Sequence, residues 1–142
     1  MTIATILATK GNEVVTLTTD HSVADAVKLL AERRIGAVPV MRGDQVVGIF
    51  SERDVIHCVA SQGAAGLDGP VGEAMTAPAI TVTRDEVVLG ALTLMTRRRI
   101  RHLPVVEGGR LIGFVSIGDL VKYRIDKIEA DAEAMRNYIQ TA

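Results

Sequence analysis

An internal repeat with a constant offset of 65 residues narrows the fold of this chain more than any other feature. Gly48-Ile49-Phe50-Ser51-Glu52-Arg53-Asp54 recurs as Gly113-Phe114-Val115-Ser116-Ile117-Gly118-Asp119, a shared Gly-x-x-x-Ser-x-x-Asp pattern. Laid over 81–122 without a gap, residues 16–57 give 15 identities in 42 positions. They include Arg33/Arg98, Arg34/Arg99, Ile35/Ile100, Pro39/Pro104 and Gly43/Gly108. A unit of roughly 60 residues is marginal alone, because so short a chain buries too little surface. The two copies are therefore expected to share an interface and fold as one unit within the 142 residues.

Each copy reads as strand, helix, strand, strand, helix. In the first, residues 10–17 read as a strand after a turn. Asp20 or Ser22 can cap the next helix, which carries Val23, Ala26, Val27, Leu30 and Ala31 at helical spacing and ends at Arg33-Arg34. Ala37-Val38-Pro39-Val40-Met41 and residues 46–50 form short strands about a Gly43-Asp44 turn, and a second helix starts near Ser51. The second copy repeats this order over 80–82, 87–99, 103–106, 111–115 and from Ser116 onward. Residues 61–70, rich in Gly, Ala and Ser, read as a flexible connector. Residues 71–76 lead into the second copy as 3–8 lead into the first.

The expected class is α/β in the α+β sense: two βαββα repeats packed as one pseudo-twofold module, plus a long C-terminal helix. The expected divisions are 1–60 and 71–123 for the repeats, 61–70 for the linker and 124–142 for the helical extension. The last helix carries Val121, Ile125, Ile128, Ala132, Met135 and Ile139 as an a/d stripe. That stripe either lies on its own domain or packs against a second protomer.

Apolar residues make up 48% of the chain but aromatics only 3%, so the core is aliphatic. A net charge of −1 removes any global attraction to nucleic acid or anionic lipid. A single cysteine, Cys58, excludes an internal disulfide and suits a reducing compartment. Neither a signal peptide nor an apolar run of about 18 residues is present, so a soluble, cytoplasmic protein is expected. His21, His57 and His102 lack metal-ligand spacing, and no nucleophile–base pair stands out. Phe50, Phe114, Tyr123 and Tyr138 are too scattered for a base-stacking platform. The run from Arg97 to Arg101 is either a solvated helix end or, at Arg101, a phosphate contact.

Two readings of the Ser-x-x-Asp elements remain open. Such a spacing at a helix start is a capping box. Against that, Gly48 and Gly113 mark places where another group approaches closely, and a helix N-terminus offers N–H donors to phosphate. An aspartate there can also accept hydrogen bonds from the vicinal diol of ribose. Pro39 and Pro104 remove ladder donors, leaving backbone groups at Ala37-Val38 and His102-Leu103 for a flat adenine edge, or merely blunting an edge strand.

Together the duplicated βαββα order, the paired Gly-x-x-x-Ser-x-x-Asp elements and the apolar-Pro-apolar strands closely resemble a tandem pair of CBS domains, a Bateman module. The resemblance spans residues 3–123. The Ser51-Glu52-Arg53-Asp54 form and the entering Lys10-Gly11 look like the stand-alone bacterial type. It implies a non-enzymatic sensor that binds adenosine ligands in two clefts between the repeats. AMP is expected first, with ATP, ADP or NAD open. One site would combine Ser116 and Asp119 with Val15, Ile35, Gly36 and Ala37, with Lys10 nearby. The other would combine Ser51 and Asp54 with Ile80, Ile100, Arg101 and His102. Gly36-Ala37 stands where the second repeat has Arg101-His102, so the Asp54 site is expected to hold phosphate better. A homodimer braced by the C-terminal stripe and an unidentified effector protein are the implied partners, with neither nucleic acid nor membrane among them. The alternative is a dimerisation module without a physiological ligand.

Overall fold

The computed structural model describes residues 1–11 and 13–141; Asn12, in the expected first strand, and Ala142, at the end of the extension, lie outside them. In chain order the elements are α1 (Ile3–Lys10), β1 (Leu17–Thr18), α2 (Val23–Arg33), β2 (Ala37–Arg42), β3 (Gln45–Ser51) and α3 (Glu52–Gln62). A 3-10 helix (Gly63–Asp68) follows, then α4 (Val71–Ala74), α5 (Val88–Arg98), β4 (His102–Glu107), β5 (Arg110–Ser116) and α6 (Ile117–Thr141).

The mixed α+β order agrees with the sequence, and two strands differ from it. Lys10 ends a helix rather than opening a strand, and only Leu17 and Thr18 pair, alongside Val40 and Met41 of β2. In the second repeat the segment 80–82 contributes a single parallel bridge, Val82 to Val105. The two hairpins match closely. β2 pairs antiparallel with β3 and β4 with β5, each with a bulge at the equivalent step, Val40/Met41 and Val105/Val106. α2 begins at a Ser22 cap whose hydroxyl accepts the Asp25 N–H (3.0 Å). Arg34 and Arg99 close α2 and α5 in the left-handed conformation, with φ of 53° and 55°.

The two cores interlock the repeats. α1 sends Ile3, Ile6 and Leu7 into the second repeat, among Val88, Met95, Leu103, Val115 and Leu120. Val71 of α4 enters the first, among Val23, Leu30, Val40 and Phe50. Each repeat is thus closed by the segment that the sequence assigns to the other. Fully burying one such side chain stabilises by about 1.5–3 kcal/mol. The three α1 residues are therefore comparable with the ~5–15 kcal/mol margin of a whole domain.

Residues 61–70 are folded, which corrects the expectation of a flexible connector. The Cys58 thiol donates to the Gly66 carbonyl (3.3 Å), Leu67 packs on the first core, and the Val23 N–H donates to the Gly69 carbonyl (2.9 Å). The glycine is there for proximity: a Cβ on Gly66 would lie 2.7 Å from Cys58 Sγ.

α6 leaves the body after its first turns. Only Leu120 is buried, while Ile125, Ile128, Met135 and Ile139 are between 49% and 66% exposed. The stripe does not lie on its own domain. No helix among the described residues is long and apolar enough to cross a membrane.

Candidate functional site

Strand register builds both Ser-x-x-Asp sites the same way. Ala37 pairs with Ser51 and His102 with Ser116, so each hairpin ends where a helix begins. The Glu52 N–H then donates to the Gly36 carbonyl (3.0 Å), and the Ile117 N–H to that of Arg101 (2.8 Å). The N–H groups of Ser51 and Ser116 each donate to the carboxylate three residues on, Asp54 or Asp119 (2.8 Å). Both aspartates therefore do cap their helices. At each site the N–H groups of the serine and of the residue after it are thus engaged within the protein. The close approach expected at the two glycines is present, and the approaching group is the protein itself. A Cβ on Gly48 would meet Met75 Sδ at 2.6 Å and the Thr76 carbonyl at 2.8 Å, and one on Gly113 would meet Leu7 Cδ2 at 2.5 Å. Both glycines make room for the protein's own lead-in segments.

A cleft of about 340 Å³ opens in front of Asp54, between the repeats. Ser51, Asp54, Ile80, Ile100, Arg101 and His102 all line it. Asp54 is only 8% exposed. Its Oδ2 accepts the Ser51 N–H (2.8 Å) and hydroxyl (3.1 Å), and Oδ1 accepts the Thr76 hydroxyl (2.8 Å). A carboxylate has about four acceptor positions, so one is left for a ligand hydroxyl. Thr76 gives no sequence signal, because its counterpart 65 positions earlier is Gly11. Two backbone hydrogen bonds to Ile49, both 2.9 Å, fix it beside the carboxylate.

Arg53 and Arg99 also line this cleft, and the Arg53 guanidinium donates to the Arg99 carbonyl (3.4 Å). Sequence reading placed Arg53 inside the motif without giving it a role. His102 stacks on Phe114, with ring centroids 5.5 Å apart and planes 14° apart. Burial, reinforced by the charges of Arg101 and Lys10, holds its imidazole below the ordinary histidine range. The ring is therefore neutral near pH 7.

The Asp119 side is built differently. Lys10, at the end of α1, donates from Nζ to Asp119 Oδ2 and to the Phe114 carbonyl, both at 2.6 Å. Burial pushes the Asp119 carboxyl up, but the Lys10 hydrogen bond and those from Ser116 outweigh it and hold the group below its usual 3.8. Val15 and Ile35 are half-buried against the first core, and Ala37 is buried. Gly36 and Ser116 line the Asp54 cleft; Lys10, Val15, Ile35, Ala37 and Asp119 do not. Beside Pro39, β1 reaches only Val40 and Met41, so it does not flank Ala37 and Val38. Among the described residues no group of three or more His, Cys, Asp or Glu could hold a metal ion.

The family model for the CBS domain matches this chain twice, over residues 6–61 and 71–126. The chain belongs to the CBS-domain family. It is 37% identical over 148 aligned residues to the CBS domain-containing protein CBSX3, mitochondrial, of Arabidopsis thaliana, covering 98% of this chain and 72% of that one. Among solved structures it resembles the CBS-domain containing protein ATU1752 from Agrobacterium tumefaciens, with a TM-score of 0.84 and 42% identity over 87% of this chain and 99% of that one. It also resembles the CBS domain protein PAE2072 from Pyrobaculum aerophilum, solved in complex with AMP. There the TM-score is 0.74 and the identity 29%, over 84% and 89% of the two chains. In this CBS pair the two matched regions meet at the cleft, with Asp54 on one wall and Arg101 on the other.

Proposed function

We propose that this CBS pair senses adenosine nucleotides, with the cleft before Asp54 as its principal site. One observation carries the reading: a carboxylate with a spare acceptor position faces apolar walls and basic side chains across a cleft of about 340 Å³. Asp54 would take a ribose hydroxyl, with Ser51 beside it. Ile80 and Ile100 would flank the base, and backbone groups at His102 would meet its edge. Arg101 and the neutral His102 would face phosphate. AMP, the ligand of the Pyrobaculum relative, supports the adenosine class, and ATP, ADP and NAD present the same ribose diol. Such a ligand touches both repeats, and it shifts their arrangement only by binding one state more tightly than another. The output then runs through an effector protein or through self-association.

A second reading, a homodimerising scaffold without a ligand, rests on the exposed stripe of Ile125, Ile128, Met135 and Ile139. A second copy of α6 would cover it in coiled-coil fashion. Native mass spectrometry separates the two readings. The sensor gains the mass of AMP on addition of the nucleotide and melts several degrees higher, as ligand in hundredfold excess over Kd adds about 2.7 kcal/mol. If adenosine, AMP, ATP and NAD all leave mass and melting unchanged, the sensor reading is wrong. A mass of two chains under those conditions would favour the scaffold.

A further inference from the structure

We infer that α6 pairs with α6 of a second copy of this chain as a parallel, in-register, two-stranded coiled coil, which sets both modules at the same end of a short stalk. The inference goes beyond the self-association named above by fixing the strand direction and the residues that choose it. It holds with or without nucleotide, so its failure leaves the sensor reading standing.

Leu120 is buried and Tyr123 packs on the second core, so the first turns of α6 are anchored by the face opposite the stripe. From Ile128 to Thr141 every residue is exposed. A helix of about 12–15 residues without tertiary packing is marginal in water, so this stretch gains most from a cover. Val121, Ile125, Ile128, Met135 and Ile139 are all exposed along one line, at the spacing a like helix would match. A lipid surface suits the helix poorly. Lys122, Arg124, Lys127 and Arg136 are offset by Asp119, Asp126, Glu129, Asp131 and Glu133, which leaves no basic face for anionic headgroups.

The flanking charges choose the direction. With Ile125, Ala132 and Ile139 at a and Val121, Ile128 and Met135 at d, Arg124 and Asp131 fall at g, and Lys122, Glu129 and Arg136 at e. In a parallel pair each g residue faces the e residue of the next heptad on the other helix. Arg124 then meets Glu129 of the second copy and Asp131 meets its Arg136, and the twofold axis repeats both contacts. Reversing one strand with the same apolar overlap sets Glu129 against Glu129, Asp131 against Asp131 and Lys122 against Arg136. All three are like-charge contacts. Asp131 already accepts from Lys127 of its own helix (3.2 Å), and its carboxylate keeps acceptor positions for the arginine. Each exposed pair is weak, but the sign changes with direction, and that decides between the two arrangements.

Disulfide trapping in the full chain reads the direction. Cys58 is buried, so introduced thiols are the reactive ones. Met135→Cys and Ile125→Cys chains, mixed in glutathione buffer, should each link to their own kind, because d faces d and a faces a in register. An antiparallel pair would instead join position 125 of one chain to position 135 of the other. Sedimentation equilibrium without cross-links gives the second reading. Glu129→Arg should weaken the dimer about tenfold, since two attractions become repulsions. Adding Arg124→Glu should return it to within about threefold of the natural chain, because the exchanged pair attracts only when the strands are parallel. Both sites are exposed, and unchanged circular dichroism would show the fold intact. A chain that sediments as a monomer or a trimer, a mixed disulfide as the main product, or a double variant as weak as Glu129→Arg would overturn the inference.

Discussion

Asp54 and Asp119 occupy equivalent positions in one duplicated motif, cap their helices with the same 2.8 Å hydrogen bond, and yet present different chemistry. Asp54 is buried against the neutral hydroxyl of Thr76. Asp119 is held by the Lys10 ammonium at 2.6 Å. Neither partner belongs to the repeated motif. Lys10 ends α1 and Thr76 follows α4, and these are the segments exchanged between the cores. Duplication sets the backbone frame, and the lead-in segments set what each carboxylate can do. Under the proposed function a ribose diol would meet an open acceptor at Asp54, whereas at Asp119 it would compete with a cation.

Exchange of the two glycines that receive these segments should give the largest effect. Gly48→Ala drives a methyl into the Thr76 backbone, and Gly113→Ala drives one only into the movable end of Leu7. Urea unfolding should show a loss of about 3 kcal/mol for the first and about 1 kcal/mol for the second. Equal losses would mean that the two segments are held with the same rigidity, and the comparison would break there.

Lys10→Met removes the cation and keeps the stem. With both partners of that pair partly exposed, stability should fall by less than about 1 kcal/mol. The sharper expectation concerns binding. Asp119 becomes available, and AMP stoichiometry measured by calorimetry should rise from one per chain toward two. A stoichiometry fixed at one would show that Lys10 is not what closes the second site.

The smallest effect is with pH. His102 titrates below its ordinary value, so its neutral form favours the folded state. The stability it contributes is complete above about pH 6.5 and declines as pH falls through the lowered value. Asp119, also lowered, contributes above its usual 3.8 and loses that only in stronger acid. Melting curves between pH 7 and 5 should therefore fall less steeply for His102→Gln than for the natural chain. An identical slope would remove His102 from the account.

Much of this was legible in the chain. The offset of 65 residues located both hairpins, both capping aspartates and the two halves of the Asp54 cleft, because these features recur locally. Helical spacing found α2, α5 and α6 for the same reason. The exchange of α1 and α4 was not legible, since an apolar helix face does not say which core will cover it. Residues 10–17 alternate enough to read as a strand, but Ile3, Ile6 and Leu7 require a helix that runs on to Lys10. Thr76 and Arg53 were missed because their roles depend on contacts across 22 and 46 residues, to Asp54 and Arg99. The connector at 61–70 was misread because Gly and Ala signal both flexibility and close packing, and here Gly66 lies under Cys58.

Titration of AMP into Asp54→Ala and Asp119→Ala, with each variant's melting temperature recorded beside the natural chain, bears most directly on the central claim. Binding should drop at least thirtyfold on loss of Asp54, as expected when a charged hydrogen-bond acceptor is removed (about 2 kcal/mol), and by less than about threefold on loss of Asp119. Equal losses in the two variants, or undiminished binding without Asp54, would contradict it.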